Sequence, residues 1–316
     1  MKLIKLSVAL LFSAVMLSGC EGFSDLFKNG INVNLDKTAT ISPSNGLVRL
    51  SGSESLLQDS DGNLYLKASD EKKFDVNAGS QPVSVDGVLY IKPECDMYPK
   101  TVDEPKLCVT LDNLSDKAVA VEDAVIKVDG KEEDKVTIEA NAKSTGKIIM
   151  ERDDMSAGLG SALSSKPDEV SLSDLTIATK ADSYTLGFWM EIPFKYKKGE
   201  VISIDRTFAE LGLSGVEIGY LGKTFKIEME VTSTFPFVIT SQAESVEKVK
   251  ANLDTPLAAG SPDNPVVTKA VITVESEETI DVVSDAIIHL QLTAEEGARL
   301  TKDTKLVIHY KTLNIK

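Results

Sequence analysis

Asp61-Gly62-Asn63-Leu64-Tyr65-Leu66-Lys67 is echoed by Asp86-Gly87-Val88-Leu89-Tyr90-Ile91-Lys92. In both stretches an Asp-Gly pair supplies the positive φ angles of a tight turn, and an alternating apolar run follows it. Each pair is therefore expected to open a hairpin. Asp59-Ser60-Asp61-Gly62-Asn63 also invites a calcium reading, but a calcium loop of the helix-loop-helix kind needs glycine at its sixth position and glutamate at its twelfth. Here glycine comes fourth, so a turn is expected.

The β pattern continues outward. Leu107–Asn113, Val119–Val128, the Asp129-Gly130 turn, Val136–Ile138 and Lys147–Met150 alternate or form short apolar runs between polar turns. From Glu151 to Ser183 the composition shifts to Ser, Gly, Asp and Ala, with Met155–Leu163 as the one short helix before Pro167. Strand patterns return at Tyr184–Tyr196, Val201–Ile204, Val216–Tyr220, Phe225–Val231, Val266–Glu275, Ala286–Leu292 and Leu306–Ile315. Phe235-Pro236-Phe237 demands an edge, a bulge or a bend, because proline cannot donate to a ladder.

The fold class expected is all-β, with two β-sandwich domains in tandem and at most one short helix at the linker. The boundaries are 1–19 for a signal peptide, 20–40 for a tether, 41–150 for the first sandwich, 151–183 for the linker and 184–316 for the second sandwich. Leu107–Met150 resembles half of an immunoglobulin-like sandwich of bacterial surface modules, which implies that class for the domains.

Lys2 and Lys5 precede an apolar run, Leu6–Leu17, that ends in Leu17-Ser18-Gly19-Cys20. This resembles the lipobox of bacterial lipoproteins. The resemblance implies cleavage before Cys20, diacylglycerol attachment to its sulfur and anchoring to the outer membrane, with the periplasmic face and the cell surface both open. Glu21 and Asp25, Trp189-Met-Glu-Ile-Pro-Phe194 and Val231-Thr-Ser-Thr-Phe-Pro-Phe237 resemble β-rich envelope lipoproteins of the Bacteroidales type. The expected partners are the membrane, through the lipid, and a protein or glycan ligand.

Loss of the signal removes two lysines and no acids, taking the formal charge from −15 to −17. Nucleic acid is excluded as a partner, since phosphate binding needs clustered Lys and Arg. Once Cys20 carries lipid, Cys95 and Cys108 remain; in an exported chain they are expected to pair, closing a loop of about 13 residues worth about 3 kcal/mol.

Candidate sites are few. Alternation sends Tyr184, Leu186, Phe188 and Met190 to one side of a strand and Gly187, Trp189 and Glu191 to the other, so Trp189, the sole tryptophan, is the candidate ligand contact. His289 and His309 are too few for a zinc site, and no metal or other cofactor is expected. The acidic groups Glu151–Asp154 and Glu275–Glu278 sit in turns. No Gly-x-Ser-x-Gly, phosphate loop or Ser-x-x-Lys at a helix start is present, so no enzymatic activity is expected. The expected function is a non-catalytic envelope lipoprotein acting as a binding or structural module. Two alternatives stand beside it: a fimbrillin-like pilus or adhesion subunit processed near Arg49, and a glycan-binding surface lipoprotein of a polysaccharide uptake system.

Overall fold

The computed structural model describes residues 31–50, 54–75, 83–85, 89–177, 183–213, 224–242, 249–276 and 287–315. The expected signal peptide and Cys20 lie outside them. The chain forms two compact units, a terminal one drawn from 1–47, 201–295 and 303–316 and a middle one from 48–200 and 296–302.

The first strand, β1 (Ile31–Ile41), falls where a tether was expected. It pairs antiparallel with the last strand and belongs to the terminal unit. Its register with that strand shifts at a bulge between Asn34 and Lys37, where Asp36 takes a φ of 38°. Ile31, Val33, Leu35, Ala39 and Ile41 alternate with polar residues, with only Lys37 out of pattern, and residues 33, 35, 37 and 39 are half-buried between exposed neighbours, so the strand carries a period-2 signature of its own.

The middle unit runs β2 (Ser55–Gln58), β3 (Leu64–Asp75), β4 (Val83–Val85), β5 (Leu89–Ile91), β6 (Lys106–Asn113), β7 (Val119–Val128), β8 (Lys131–Ala140), β9 (Ser144–Met150), α1 (Ala157–Leu163), β10 (Val170–Ser173), β11 (Leu175–Ile177) and β12 (Ser183–Pro193). One sheet has the order β2-β3-β12-β6-β9. In the other, β7 pairs β8 on one side and β10 and β11 on the other, with β5 outside β10 and β4 outside β11. The sheets stack through contacts of β5 with β3 and β12 and of β6 with β8.

The turn before Leu64 closes as expected. Asp59 Oδ1 accepts from the amides of Asp61 and Asn63, Oδ2 accepts from the Asn63 side chain, and Gly62 takes a φ of 82°. These bonds use the carboxylate and hold its pKa below the usual aspartate value, the bond from the Asn63 side chain being the largest cause. Asp129 and Gly130, at φ 50° and 79°, make the tight hairpin between β7 and β8. The second Asp-Gly pair departs from expectation. Residues 86–88 lie outside the described residues, and β4 and β5 pair with β11 and β10, which lie end to end along β7 rather than folding back on each other.

The expected boundaries at 151–183 and 184 are also corrected. The Ser/Gly-rich stretch is interior to the middle unit, and β12 is its central strand, paired with β3 along one edge and β6 along the other. Burial decides this: Tyr184, Leu186, Phe188, Met190 and Ile192 all point into the core of the middle sandwich. Composition in a loop says where the backbone bends, not where a core ends. The short helix does form, capped by Ser156, whose hydroxyl accepts from the Leu159 amide, with Leu159 and Leu163 buried.

The terminal unit continues with β13 (Val201–Thr207), β14 (Thr224–Ser233), β15 (Phe237–Ser241), β16 (Val249–Leu253), β17 (Val266–Ser276), β18 (Ile287–Ala294) and β19 (Leu306–Ile315). Its sheets are β1-β19-β14-β17-β16 and β13-β18-β15. Phe235-Pro236-Phe237 is where the chain leaves the first of these for the second, with both rings fully buried and stacked at 4.7 Å. The expected strand Val216–Tyr220 lies outside the described residues.

Candidate functional site

Because β12 alternates, the face of β2-β3-β12-β6-β9 opposite the core presents Gly187, Trp189 and Glu191. Strand pairing fixes their neighbours. Trp189 lies opposite Ser69 on β3 and Cys108 on β6; Glu191 lies opposite Lys67 and Lys106; Gly187 lies opposite Glu71 and Thr110. On the far side of β6, Ile149 stands opposite Cys108 and Lys147 opposite Thr110. Toward the β2 edge, Leu57 and Pro193 flank Tyr65.

Trp189 and Tyr65 are half-buried, while Ile149 and Leu57 are 46% and 37% exposed. The indole reaches over Gly187: a Cβ there would stand 2.6 Å from Thr110 Oγ1 and 3.8 Å from Trp189 Cζ3. Even alanine would crowd the Thr110 hydroxyl, whereas its contact with the indole would be an ordinary one. Two cations gather at that ring, Lys67 Nζ at 4.5 Å from its centroid and Lys147 Nζ at 5.6 Å. Such contacts contribute about 0.5–1 kcal/mol at exposed positions. Neither ammonium has a carboxylate within salt-bridge distance among the described residues, whereas Lys106 is paired with Glu151 at 2.8 Å. Burial, followed by the charges of Glu191 and Asp59, raises the Tyr65 pKa.

The other residues singled out from sequence fall elsewhere. Tyr184 is a core residue, stacked on Phe74 at 5.3 Å. His289 bonds Asp205 at 2.7 Å and His309 bonds Thr38 at 2.6 Å; they stand on β18 and β19, in different sheets. Among the described residues no group of three or more His, Cys, Asp and Glu is placed to hold a metal ion. Asp153 and Asp154 lie on an exposed turn, and Glu277 and Glu278 are outside the described residues. Arg49 is exposed, and its amide donates to Asp96.

The expected disulfide is not formed: Cys95 and Cys108 are separate, buried thiols. Cys108 sits within β6 beneath the Trp189 face. Cys95 bridges to Leu50 and is surrounded by a different set of charges, those of Asp96, Lys166 and Glu54. Sequence proximity counted the loop between them but not the strand that holds Cys108 in place. Burial pushes the Cys95 thiol up to about 12 and the Cys108 thiol up to about 11. Because the thiolate is the reactive form, native protein at pH 8 is expected to resist iodoacetamide at both positions, and unfolding without reductant should expose two alkylatable thiols. A mass matching a 95–108 bridge would contradict this placement.

Lys67 and Lys147 are the site residues that sequence reasoning missed. They lie 80 positions apart, on strands brought together only through β12 and β6, and Lys67 is visible in the sequence only as the last residue of the first Asp-Gly segment.

The architecture and the site together describe an all-β protein of two sandwich units with an aromatic, lysine-flanked face on one of them. No family model matches the sequence. No curated protein matches it either. Among solved structures, a protein of Parabacteroides distasonis ATCC 8503 described as secreted aligns over 91% of this chain and 99% of its own, at 15% identity and a TM-score of 0.40. The tandem CBM22 domains of Paenibacillus barcinonensis Xyn10C align over 90% and 96%, at 10% identity and a TM-score of 0.21, and Melon necrotic spot virus over 85% and 91%, at 10% and 0.18. Likenesses of this size assign no family, and the all-β class rests on the strands themselves.

Proposed function

We propose that this chain is a lipid-anchored, non-catalytic module of the bacterial envelope that binds a saccharide on the open face of β2-β3-β12-β6-β9. The observation that carries the reading is the placement of the sole tryptophan. Trp189 sits on the central strand of a five-stranded sheet, yet stands on the face away from the core and is only half-buried. A large aromatic in a strand is ordinarily core, and leaving one at the surface forgoes part of its burial energy. A flat ring among polar groups is what the apolar C–H face of a sugar stacks on, while neighbouring side chains bond its hydroxyls.

The address comes from Leu17-Ser18-Gly19-Cys20, with the basic residues and apolar run before it. Several acyl chains on Cys20 would hold the protein on a membrane, since each buried CH₂ contributes about 0.8 kcal/mol. Growth with labelled palmitate is expected to label the wild-type chain and leave it in the membrane fraction, while Cys20→Ala loses the label and fails to be processed at residue 19. Equal labelling of both proteins would overturn the anchor.

A further inference from the structure

We infer that the Trp189 face takes an anionic saccharide, a chain containing uronic acid residues, with a sugar ring on the indole and its carboxylate between Lys67 and Lys147. This rests on the saccharide reading of the face and adds its charge selectivity. The chain as a whole carries a formal charge of −15, which repels anions. Against that background two ammonium groups converge on one aromatic ring, at 4.5 and 5.6 Å from its centroid. Both lack a carboxylate partner among the described residues, although Lys106, one strand away, has found Glu151. Glu191 stands opposite Lys67 but makes no ion pair with it among the described residues, which leaves both ammonium groups able to pair with an incoming anion. The two lysines come from opposite sides of Trp189, one from β3 and one from β9, so an anion lying on the ring is reached from both.

An acidic peptide would satisfy the same lysines, but one that binds by strand addition needs a sheet edge, where backbone groups are unpaired. Trp189 stands on the central strand, whose two edges are both taken by β3 and β6. What this face offers is a ring and side chains, the chemistry that recognises a sugar.

The test titrates the full-length chain in detergent and follows the emission of Trp189. The probes are oligogalacturonate, oligomannuronate and a glucuronate-containing oligosaccharide, their neutral or methyl-esterified counterparts, and oligoglutamate. Saturable changes with at least one uronate, about tenfold weaker with its neutral or esterified form, are expected. Lys67→Gln and Lys147→Gln should each weaken that binding about three- to fivefold, in keeping with partly exposed ion pairs, and raised salt should act likewise. Equal affinity for charged and neutral sugars would overturn the charge selectivity while leaving a saccharide site. Oligoglutamate binding as tightly as the best uronate would replace the saccharide by an acidic protein partner. No response to any sugar would overturn both readings.

Discussion

Phe188→Ala is expected to destabilise the middle unit by about 3–5 kcal/mol, the usual cost of emptying a fully buried phenylalanine site. Trp189→Ala, one residue further on, should cost less, about 2 kcal/mol, because its half-buried ring lies on the open face and its loss leaves no enclosed cavity. The sizes of the side chains predict the opposite order. What reverses it is the alternation of β12, which puts Phe188 opposite Val109 and Trp189 opposite Cys108, on different faces of one sheet. Denaturant unfolding of both variants checks this, with separate transitions allowed for the two units, since a chain of two cores need not unfold in one step. A larger loss for Trp189→Ala than for Phe188→Ala would place the indole in the core and remove the basis of the proposed site.

The second large effect belongs to the terminal unit. Arg206 is 1% exposed, and its guanidinium donates to three backbone carbonyls: Nε to Gly46 at 2.8 Å, Nη1 to Asp205 at 2.7 Å, and Nη2 to Leu47. These bonds fasten the stretch after β1 to β13. Arg206→Ala leaves the three carbonyls short of a donor and opens a cavity, and a loss of about 3–5 kcal/mol is expected. Arg206→Met keeps most of the apolar stem and still removes the donors, so it should fall between wild type and Arg206→Ala. If methionine proves neutral, stem packing and not hydrogen bonding holds the segment.

What could be read in the sequence was local. The Asp59–Asn63 turn, the hairpin at Asp129-Gly130, the short helix and the bend at Phe235-Pro236-Phe237 all follow from backbone preferences that act within a few residues. The two faces of β12 were equally plain, because period-2 alternation ran unbroken from Tyr184 to Ile192. Local patterns mislead where an element depends on distant partners. β1 carries an alternating pattern from Ile31 to Ile41, and what a local reading lacks is its partner β19, at the other end of the chain. The second Asp-Gly pair lacked a hairpin because β4 and β5 had better partners in β11 and β10. The stretch 151–183 carries α1, β10 and β11 of the middle unit, and β12, beyond it, fills the gap between β3 and β6. Cys95 and Cys108 were near in the chain but held apart by strand pairing. The lysines around Trp189 needed the strand order β3-β12-β6-β9, which no local pattern carries.

Acrylamide quenching of Trp189 in the full-length, detergent-solubilised chain, with and without a saturating uronate oligosaccharide, tests the central claim most directly. As the sole tryptophan it reports from one place. The account predicts a red-shifted emission that acrylamide quenches and the oligosaccharide protects. A blue-shifted emission indifferent to both would contradict it, placing the ring out of reach of solvent and ligand alike.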